Sequence, residues 1–340
     1  MSWLSQDWGD LADTLCLART RLRVALKRSR GRGRAEGPVA APYPKLFIVG
    51  SPRSGTTWVK RLLQAHPRVV CGPESHAYRQ IFEGVRGRLH RGARVWKRIF
   101  HVHRTGGTEG KGGIRHYIAR KTLHRLVERA LLEPASTQEQ LDLQAEELIR
   151  GVFDDFHRRH AGGPDDLLLE KTPGHVLCAE RILRFYPEAK LAIVLRDGRD
   201  VCVSLQMRSL TRLWPPKERR EQIELWVRHA EAGLRLLSTP EFEGRILEVR
   251  YEQLLQDPHG ELRRLCGFAG LRADAEFLRA AVEAAAFANI AQTGPGEHRW
   301  RGTAGTWKRY FTDEDRRLFR ELAGDVFERA GYSFGANGRS

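Results

Sequence analysis

Four short apolar segments, each followed by a stretch with helical periodicity, constrain the fold of this chain more than any other feature. Each segment is too short for a core helix and is rich in the branched or aromatic side chains of strands buried on both faces. Buried strands that alternate with helices form parallel sheets, so the sequence predicts an α/β fold with helices on both faces. We place strands at 45–50, 167–169, 191–195 and 245–249, and helices at 57–65, 176–185, 199–208, 251–255 and 260–268.

The chain outside these elements contains an N-terminal appendage and an insertion. Residues 1–44 combine aromatic and leucine residues at near-helical spacing with a basic run and a glycine–arginine linker. A packing helix with a solvated linker explains this pattern, and so does an amphipathic helix that contacts a membrane surface through 1–34 or binds a polyanion. We assign 45–335 to one domain, in which the basic segment 84–165 forms a largely helical insertion between the first two predicted strands.

The overall charge and the cysteine pattern limit the partners and the compartment. The 58 Lys and Arg residues against 42 Asp and Glu give a formal net charge of +16, which favours anionic partners. Five scattered cysteines without a CxxC pair predict neither a disulfide framework nor a zinc site, and favour a reducing compartment. No run of 18 apolar residues occurs, and the acidic N-terminus does not resemble a signal peptide. We therefore expect a cytoplasmic protein, held peripherally at the inner membrane surface if 1–34 binds lipid.

The first chemical motif follows the first predicted strand directly. Residues 50–58 read GSPRSGTTW, so a strand leads through a glycine-bearing turn into a helix N-terminus. Such a turn presents several backbone N–H groups to one point, which suits a phosphate. Arg53 adds a fixed positive charge, Gly55 allows close approach, and Thr56 and Thr57 add hydroxyl groups. The GKS/T ending of a Walker A loop is absent, which disfavours a nucleoside triphosphatase.

The second motif lies at the end of the third predicted strand. Arg196 follows that strand, at the edge where open α/β sheets bind their ligands. Ser204 lies about two turns along the next predicted helix, and either Asp197 or Asp200 could cap that helix. A strand-end arginine and a helix-face serine can hold a further phosphate group, although a surface salt bridge also explains the arginine.

In this order and spacing, the two motifs resemble those of sulfotransferases that use 3′-phosphoadenosine 5′-phosphosulfate (PAPS). The segment VRYEQL around Tyr251 and the segment RWRGTAGTWK at 299–308 are similar to later motifs of that family. The resemblance implies a P-loop-like sheet, a first loop that cradles the 5′-phosphosulfate, and a 3′-phosphate held by Arg196 and Ser204. The cofactor-binding residues that the resemblance implies are Ser51, Arg53, Ser54, Gly55, Thr56, Thr57, Trp58, Arg196, Ser204, Tyr251, Arg301 and Gly302.

The same resemblance suggests the catalytic groups. Glu74, in the segment VCGPESH, is similar to a glutamate that acts as base in related enzymes, and His76 is the alternative base. A helix-capping glutamate would also explain Glu74. Lys171 follows the second predicted strand and is similar to a second cation on the transferred group, with Arg53 as the first. The resemblance requires no metal, and the sequence contains no cluster with metal-ligand spacing.

The expected reaction moves a sulfuryl group from PAPS to a hydroxyl or amine and leaves adenosine 3′,5′-bisphosphate. We expect a small-molecule, lipid or glycan acceptor, acidic if the basic residues of 84–165 contact it, and no specific nucleic acid. The sequence leaves open the acceptor, the oligomeric state and the choice between O- and N-sulfation. Two other functions stay open at this point, namely an ATP-dependent nucleotide kinase and a noncatalytic module that binds polyanions.

Overall fold

The computed structural model describes 45–72, 74–76, 78, single positions from 143 to 166, 167–212, 214–286 and 303–334. These residues fall into two compact units. One unit contains the described residues up to 71 and from 163 onwards, and the other contains those from 72 to 160. The predicted appendage 1–44 lies outside the described residues, as does most of the predicted insertion 84–165.

A parallel five-stranded sheet forms the centre of the first unit, with its strands in the order β2-β3-β1-β4-β5. The central strand β1 pairs with β3 on one side and β4 on the other. Strands β2 and β3 therefore lie on one side of β1 and strands β4 and β5 on the other, so the strand order reverses at β1. Ligands of open α/β sheets bind at such a switch point, outside the carboxyl ends of the strands. The strands are β1 Leu46–Gly50, β2 Val69–Cys71, β3 Leu167–Lys171, β4 Lys190–Leu195 and β5 Ile246–Arg250.

Helices connect the strands in the alternation that the sequence predicts. The predicted helix at 176–185 is divided, because a 3₁₀ helix at Pro173–Cys178 precedes a shorter α-helix. Two further 3₁₀ helices lie at Pro240–Phe242 and Thr306–Arg309. The α-helices of this unit are α1 Thr56–Gln64, α2 Ala179–Phe185, α3 Gly198–Ser209, α4 Arg219–Leu237, α5 Tyr251–Gln256, α6 Pro258–Ala269, α7 Ala275–Ala284 and α8 Asp313–Arg329.

Both faces of the sheet are covered by helices. Leu46 and Ile48 of β1 belong to the same buried cluster as Leu62 of α1 and residues of α6 and α7. On the other face, α4 lies so close to the sheet that a Cβ on Gly233 would be 3.1 Å from Cγ2 of Ile193. Successive side chains of a strand point to opposite faces, so the two sets of contacts require two helical layers. The predicted fold class, a parallel α/β sheet between helices, is confirmed.

A second buried cluster, which is rich in aromatic residues, packs against the end of β4. Trp226 of α4 is buried with Phe319 and Phe327 of α8, and its indole Nε1 donates a hydrogen bond to the carbonyl oxygen of Arg196 over 3.2 Å. At Gly198, the first residue of α3, an added Cβ would lie 2.6 Å from Cε2 of Trp226. The tryptophan therefore holds the turn between β4 and α3 in place, and with it the backbone of Arg196.

The second unit is described at fewer positions. Those described between 143 and 157 are helical, and Ile149, Phe153 and Phe156 among them are buried. The ring of Phe156 stacks on His160, with centroids 4.3 Å apart. In neither unit does the structure describe a helix long and apolar enough to cross a membrane.

Candidate active site

The loop after β1 has the backbone geometry of an anion-binding turn. Gly50 and Gly55 have φ angles of +147° and +103°, and Arg53 between them has a φ of +74°. The helix α1 begins directly after Gly55 with no capping side chain and no acidic residue in its first turn. An uncapped helix N-terminus leaves backbone N–H groups for a ligand, and a non-glycine residue with positive φ is often found at functional sites.

The ring of Tyr251 explains why glycine is needed at position 55. A Cβ on Gly55 would overlap the ring of Tyr251, so the loop can lie against this ring only where a side chain is absent. The guanidinium of Arg196 lies 4.1 Å from the centre of the same ring, in a cation–π contact. Burial raises the pKa of the Tyr251 phenol, so it stays neutral at physiological pH.

Trp58 lies in the core beside this tyrosine. It is 9% exposed, belongs to the buried cluster that also contains residues of α1 and α6, and packs edge to face against Tyr251 at 5.9 Å. These contacts provide a packing role for Trp58. Its predicted role in cofactor binding stays a prediction.

The two predicted phosphate elements meet in space. Nε of Arg53 donates a hydrogen bond to Oγ of Ser204 over 3.0 Å. Arg196 donates from its guanidinium to the carbonyl oxygen of Arg53 over 3.2 Å. The loop after β1, the end of β4 and the helix α3 are therefore joined by direct contacts, and Arg53 lies beside the serine that the resemblance assigns to the other phosphate.

Lys171, at the end of β3, also reaches the first loop. Its ammonium donates to Oγ1 of Thr57 over 3.2 Å, although the lysine is 4% exposed. The neighbouring Glu170 accepts a hydrogen bond from Thr172 over 2.6 Å and lies 3.0 Å from Nδ1 of His175. This buried group of side chains was missing from the sequence prediction. The pattern EKTPGH contains its members, but only the turn after β3 brings them together.

The late segment packs on the start of α3. Asp200 accepts hydrogen bonds from the backbone N–H groups of Gly305 and Trp307, over 2.8 and 2.9 Å. Arg196 donates to the carbonyl oxygen of Thr303 over 3.2 Å. Of the two predicted capping residues, Asp197 is the one that caps α3. The predicted contacts Arg301 and Gly302 lie outside the described residues.

Two buried polar atoms at this site have no hydrogen-bond partner within the described part of the chain. They are Oγ of Ser54, in the first loop, and Nε of Arg196. Buried polar groups in proteins are almost always hydrogen-bonded, so a pair of unsatisfied atoms beside an uncapped helix indicates a polar ligand. A ligand that carries phosphate groups supplies the acceptor oxygens that both atoms require. The residues present therefore fit a phosphorylated cofactor.

The alternative bases belong to the second unit and contact each other. Oε2 of Glu74 lies 3.1 Å from Nε2 of His76. His76 has a φ of +50°, which is uncommon for a residue other than glycine. The two candidates are thus in direct contact rather than independent groups. Over all the residues that the structure describes, no group of three or more His, Cys, Asp or Glu side chains could hold a metal ion.

A parallel sheet whose central strand leads into a cationic, glycine-bearing loop defines an α/β protein that binds a phosphorylated ligand. The chain belongs to the sulfotransferase family, whose model matches residues 44–275. This confirms the family expected from the sequence motifs.

Known relatives agree with this membership. The chain is 27% identical over 229 residues to protein-tyrosine sulfotransferase 1 of Danio rerio, covering 67% of this chain and 53% of that protein. It is 24% identical over 239 residues to protein-tyrosine sulfotransferase A of Caenorhabditis elegans, covering 69% and 52%. The chain thus spans about half the length of the curated relatives it matches. The sulfotransferase domain from the Synechococcus PCC 7002 olefin synthase has the same fold, with a TM-score of 0.51 at 19% identity over 89% of this chain and 100% of that one.

Proposed function

We propose that this protein transfers a sulfuryl group from PAPS to a hydroxyl or amine of an acceptor. The observation that carries the proposal is the contact between Arg53 and Ser204, because it joins two anion-binding elements at the switch point of the sheet. A cofactor with two separate phosphate groups requires two such elements side by side. Membership of the sulfotransferase family supports PAPS as that cofactor.

The cofactor roles divide between the two elements. The first loop, from Ser51 to Thr57, would hold the 5′-phosphosulfate with its backbone N–H groups and hydroxyls. Arg196 and Ser204 would hold the 3′-phosphate. PAPS supplies the activated sulfuryl group, which is lost from its 5′-phosphate when the acceptor oxygen or nitrogen bonds to sulfur. Within the first loop the proposed contacts include Ser54, Gly55 and Thr56, and outside it the further proposed contacts are Trp58, Tyr251, Arg301 and Gly302.

The catalytic roles follow from charge. Negative charge develops on the leaving phosphate during transfer, and fixed cations stabilise it. Arg53 and Lys171 supply these cations, and the hydrogen bond from Lys171 to Thr57 holds its ammonium at the first loop. Glu74 accepts the proton that the acceptor loses, and His76 is the alternative base. No metal takes part in this proposal.

For the acceptor, the relatives suggest a class to test first. Both relatives described above are named protein-tyrosine sulfotransferases, which supports a tyrosine hydroxyl in a peptide. The sequence itself favoured a small-molecule, lipid or glycan acceptor bound by the insertion 84–165, and this stays a second proposal. The cytoplasmic location and the membrane contact through 1–34 also remain proposals.

A transfer assay with ³⁵S-labelled PAPS tests the function. Purified protein would be incubated with a panel of tyrosyl peptides, phenols, glycans and lipids, and the labelled product separated from the donor. We expect label on at least one acceptor class and release of adenosine 3′,5′-bisphosphate in equal amount. Salt-sensitive binding to heparin with no transfer to any class would instead support a noncatalytic polyanion-binding module.

A further inference from the structure

Asp200 occupies an unusual place in the first turn of α3. Its side chain is fully buried, yet it does not cap its own helix, because Asp197 performs that role by accepting from the backbone N–H of Arg199. Instead, both of its carboxylate oxygens accept hydrogen bonds from a segment more than 100 residues later. A buried carboxylate is costly unless it is fully hydrogen-bonded, so these contacts are the reason it is tolerated there.

The late segment is held by three side chains of one short stretch of chain. Beside the two bonds to Asp200, the guanidinium of Arg199 lies 3.8 Å from the centre of the Trp307 ring. Arg196 donates to the carbonyl oxygen of Thr303 and lies 4.0 Å from the carboxylate of Asp200. The turn between β4 and α3 therefore contacts both the backbone of 303–307 and the side chain of Trp307.

The contacts of Arg196 connect the segment 303–307 to the proposed cofactor site. One guanidinium nitrogen is held by Thr303, another by the carbonyl oxygen of Arg53, and its Nε is the unsatisfied buried atom described above. If the segment 303–307 moved away, Arg196 would lose the hydrogen bond to Thr303 and keep, of its two bonds to carbonyl oxygens, the one to Arg53. Its donors would then no longer be arranged in advance for a phosphate.

We infer that Asp200 is a positioning residue, which anchors the segment 303–307 on α3 and thereby holds Arg196 in the orientation that binds a 3′-phosphate. The inference rests on the proposed function, since it names the residue that sets nucleotide affinity at the same site. Asp200 itself does not touch the cofactor. It keeps the segment 303–307 ordered. Through Arg196, it thereby favours a nucleotide with a 3′-phosphate.

Two variants of the full chain test the inference. Asp200→Ala removes both acceptor oxygens, whereas Asp200→Asn keeps one carbonyl oxygen and presents an N–H group to the other amide. The matched control is Asp274→Ala, which also removes a carboxylate that accepts from a backbone N–H, over 2.8 Å, but at the start of α7. Circular dichroism and melting temperature show whether each variant is folded.

The first measurement is hydrogen exchange in peptides that cover 303–310, without nucleotide. Loss of a hydrogen bond to a charged group weakens local protection by about tenfold or more, so the amides of Gly305 and Trp307 should exchange at least that much faster in Asp200→Ala. We expect Asp200→Asn to fall between this variant and the wild type. Asp274→Ala should leave these peptides unchanged, which separates local anchoring from general loss of stability.

The second measurement is calorimetric titration with adenosine 3′,5′-bisphosphate and with AMP. In Asp200→Ala we expect the affinity for the bisphosphate to fall about tenfold and the affinity for AMP to stay within about twofold. Unchanged exchange at 303–310, or faster exchange with unchanged bisphosphate affinity, would overturn the inference. If the wild type failed to bind the bisphosphate, the proposed function would fail as well, whereas equal binding by wild type and variant would reject only the role of Asp200.

Discussion

Nε of Arg53 lies 3.0 Å from Oγ of Ser204, and this hydrogen bond joins two motifs that are 151 residues apart in the chain. The backbone of Arg53 is also bonded to the guanidinium of Arg196. Because of these two contacts, a ligand that binds the first loop lies next to the start of α3. Arg53 is thus placed between the two proposed phosphate elements, and we propose that it contributes there to both binding and transfer.

Replacing Ser204 should weaken the binding of nucleotides that carry a 3′-phosphate more than the binding of nucleotides that lack one. In Ser204→Ala, we expect the affinity for adenosine 3′,5′-bisphosphate to fall about tenfold, because one hydrogen bond to a charged group is lost. Binding of AMP should change much less, since AMP has no 3′-phosphate and is affected only through the lost hydrogen bond from Arg53 to Ser204. Melting temperature measured with each nucleotide provides the test. Ser209→Ala is the control, because Ser209 ends the same helix and donates a local hydrogen bond to the carbonyl oxygen of Gln206 over 2.7 Å. Equal stabilisation of the wild type by both nucleotides would contradict the assignment of Ser204.

Glu74 should matter for turnover and not for cofactor affinity. We expect Glu74→Gln to lower kcat by roughly 10²–10⁴-fold, the usual contribution of a positioned base, with little change in PAPS affinity. Single-turnover transfer measures the first quantity and calorimetry the second. The close contact between Glu74 and His76 makes His76→Ala the necessary comparison. If Glu74→Gln turned over like the wild type while His76→Ala did not, His76 would be the base.

Arg53 should behave differently from Glu74. Its guanidinium stays ionised near neutral pH, so it cannot act as a base. A cation at a developing charge contributes to both the bound state and the transition state, so Arg53→Ala should weaken PAPS binding and also lower kcat. The same pair of measurements applies. A variant with normal affinity and a reduced kcat would place Arg53 in the chemical step alone.

Sulfuryl transfer should proceed without a divalent metal. The described residues contain no group of three or more His, Cys, Asp or Glu side chains that could hold a metal ion, and the first loop has Thr56 where a Walker A loop has its lysine. We therefore expect the rate of transfer to persist in excess EDTA. Complete loss of activity that magnesium restores would contradict this expectation and would favour a kinase-like reaction.

Gly55 should tolerate no side chain. Its φ of +103° disfavours L-residues, and a Cβ would overlap the ring of Tyr251. We expect Gly55→Ala to lower the free energy of unfolding by about 1–3 kcal/mol and to weaken nucleotide binding. Gly324→Ala is the control, because Gly324 lies within α8 with no atom near the added Cβ. That substitution should raise the free energy of unfolding by about 0.5–1 kcal/mol. Urea denaturation measures both values, and equal destabilisation would contradict the steric argument.

Local sequence patterns were sufficient for most of the elements that carry the site. The apolar strands ending at Gly50 and Leu195 could be predicted because a buried parallel strand is a continuous apolar run bounded by turn residues. Strand β2 escaped prediction, because a segment of three residues has no periodicity to detect. The helix α4 was also missed, although Trp226 in it holds the end of β4.

The amino-acid order thus specified the anion-binding loop, the strand-end arginine and the family, since each depends on residues that are neighbours in the chain. The tertiary structure decided which of these groups meet. The hydrogen bonds from Arg53 to Ser204 and from Gly305 to Asp200 span 151 and 105 residues, and no local pattern encodes such distances. They arise because the parallel order of β3, β1 and β4 brings the carboxyl ends of separate strands to one edge, where the late segment then packs.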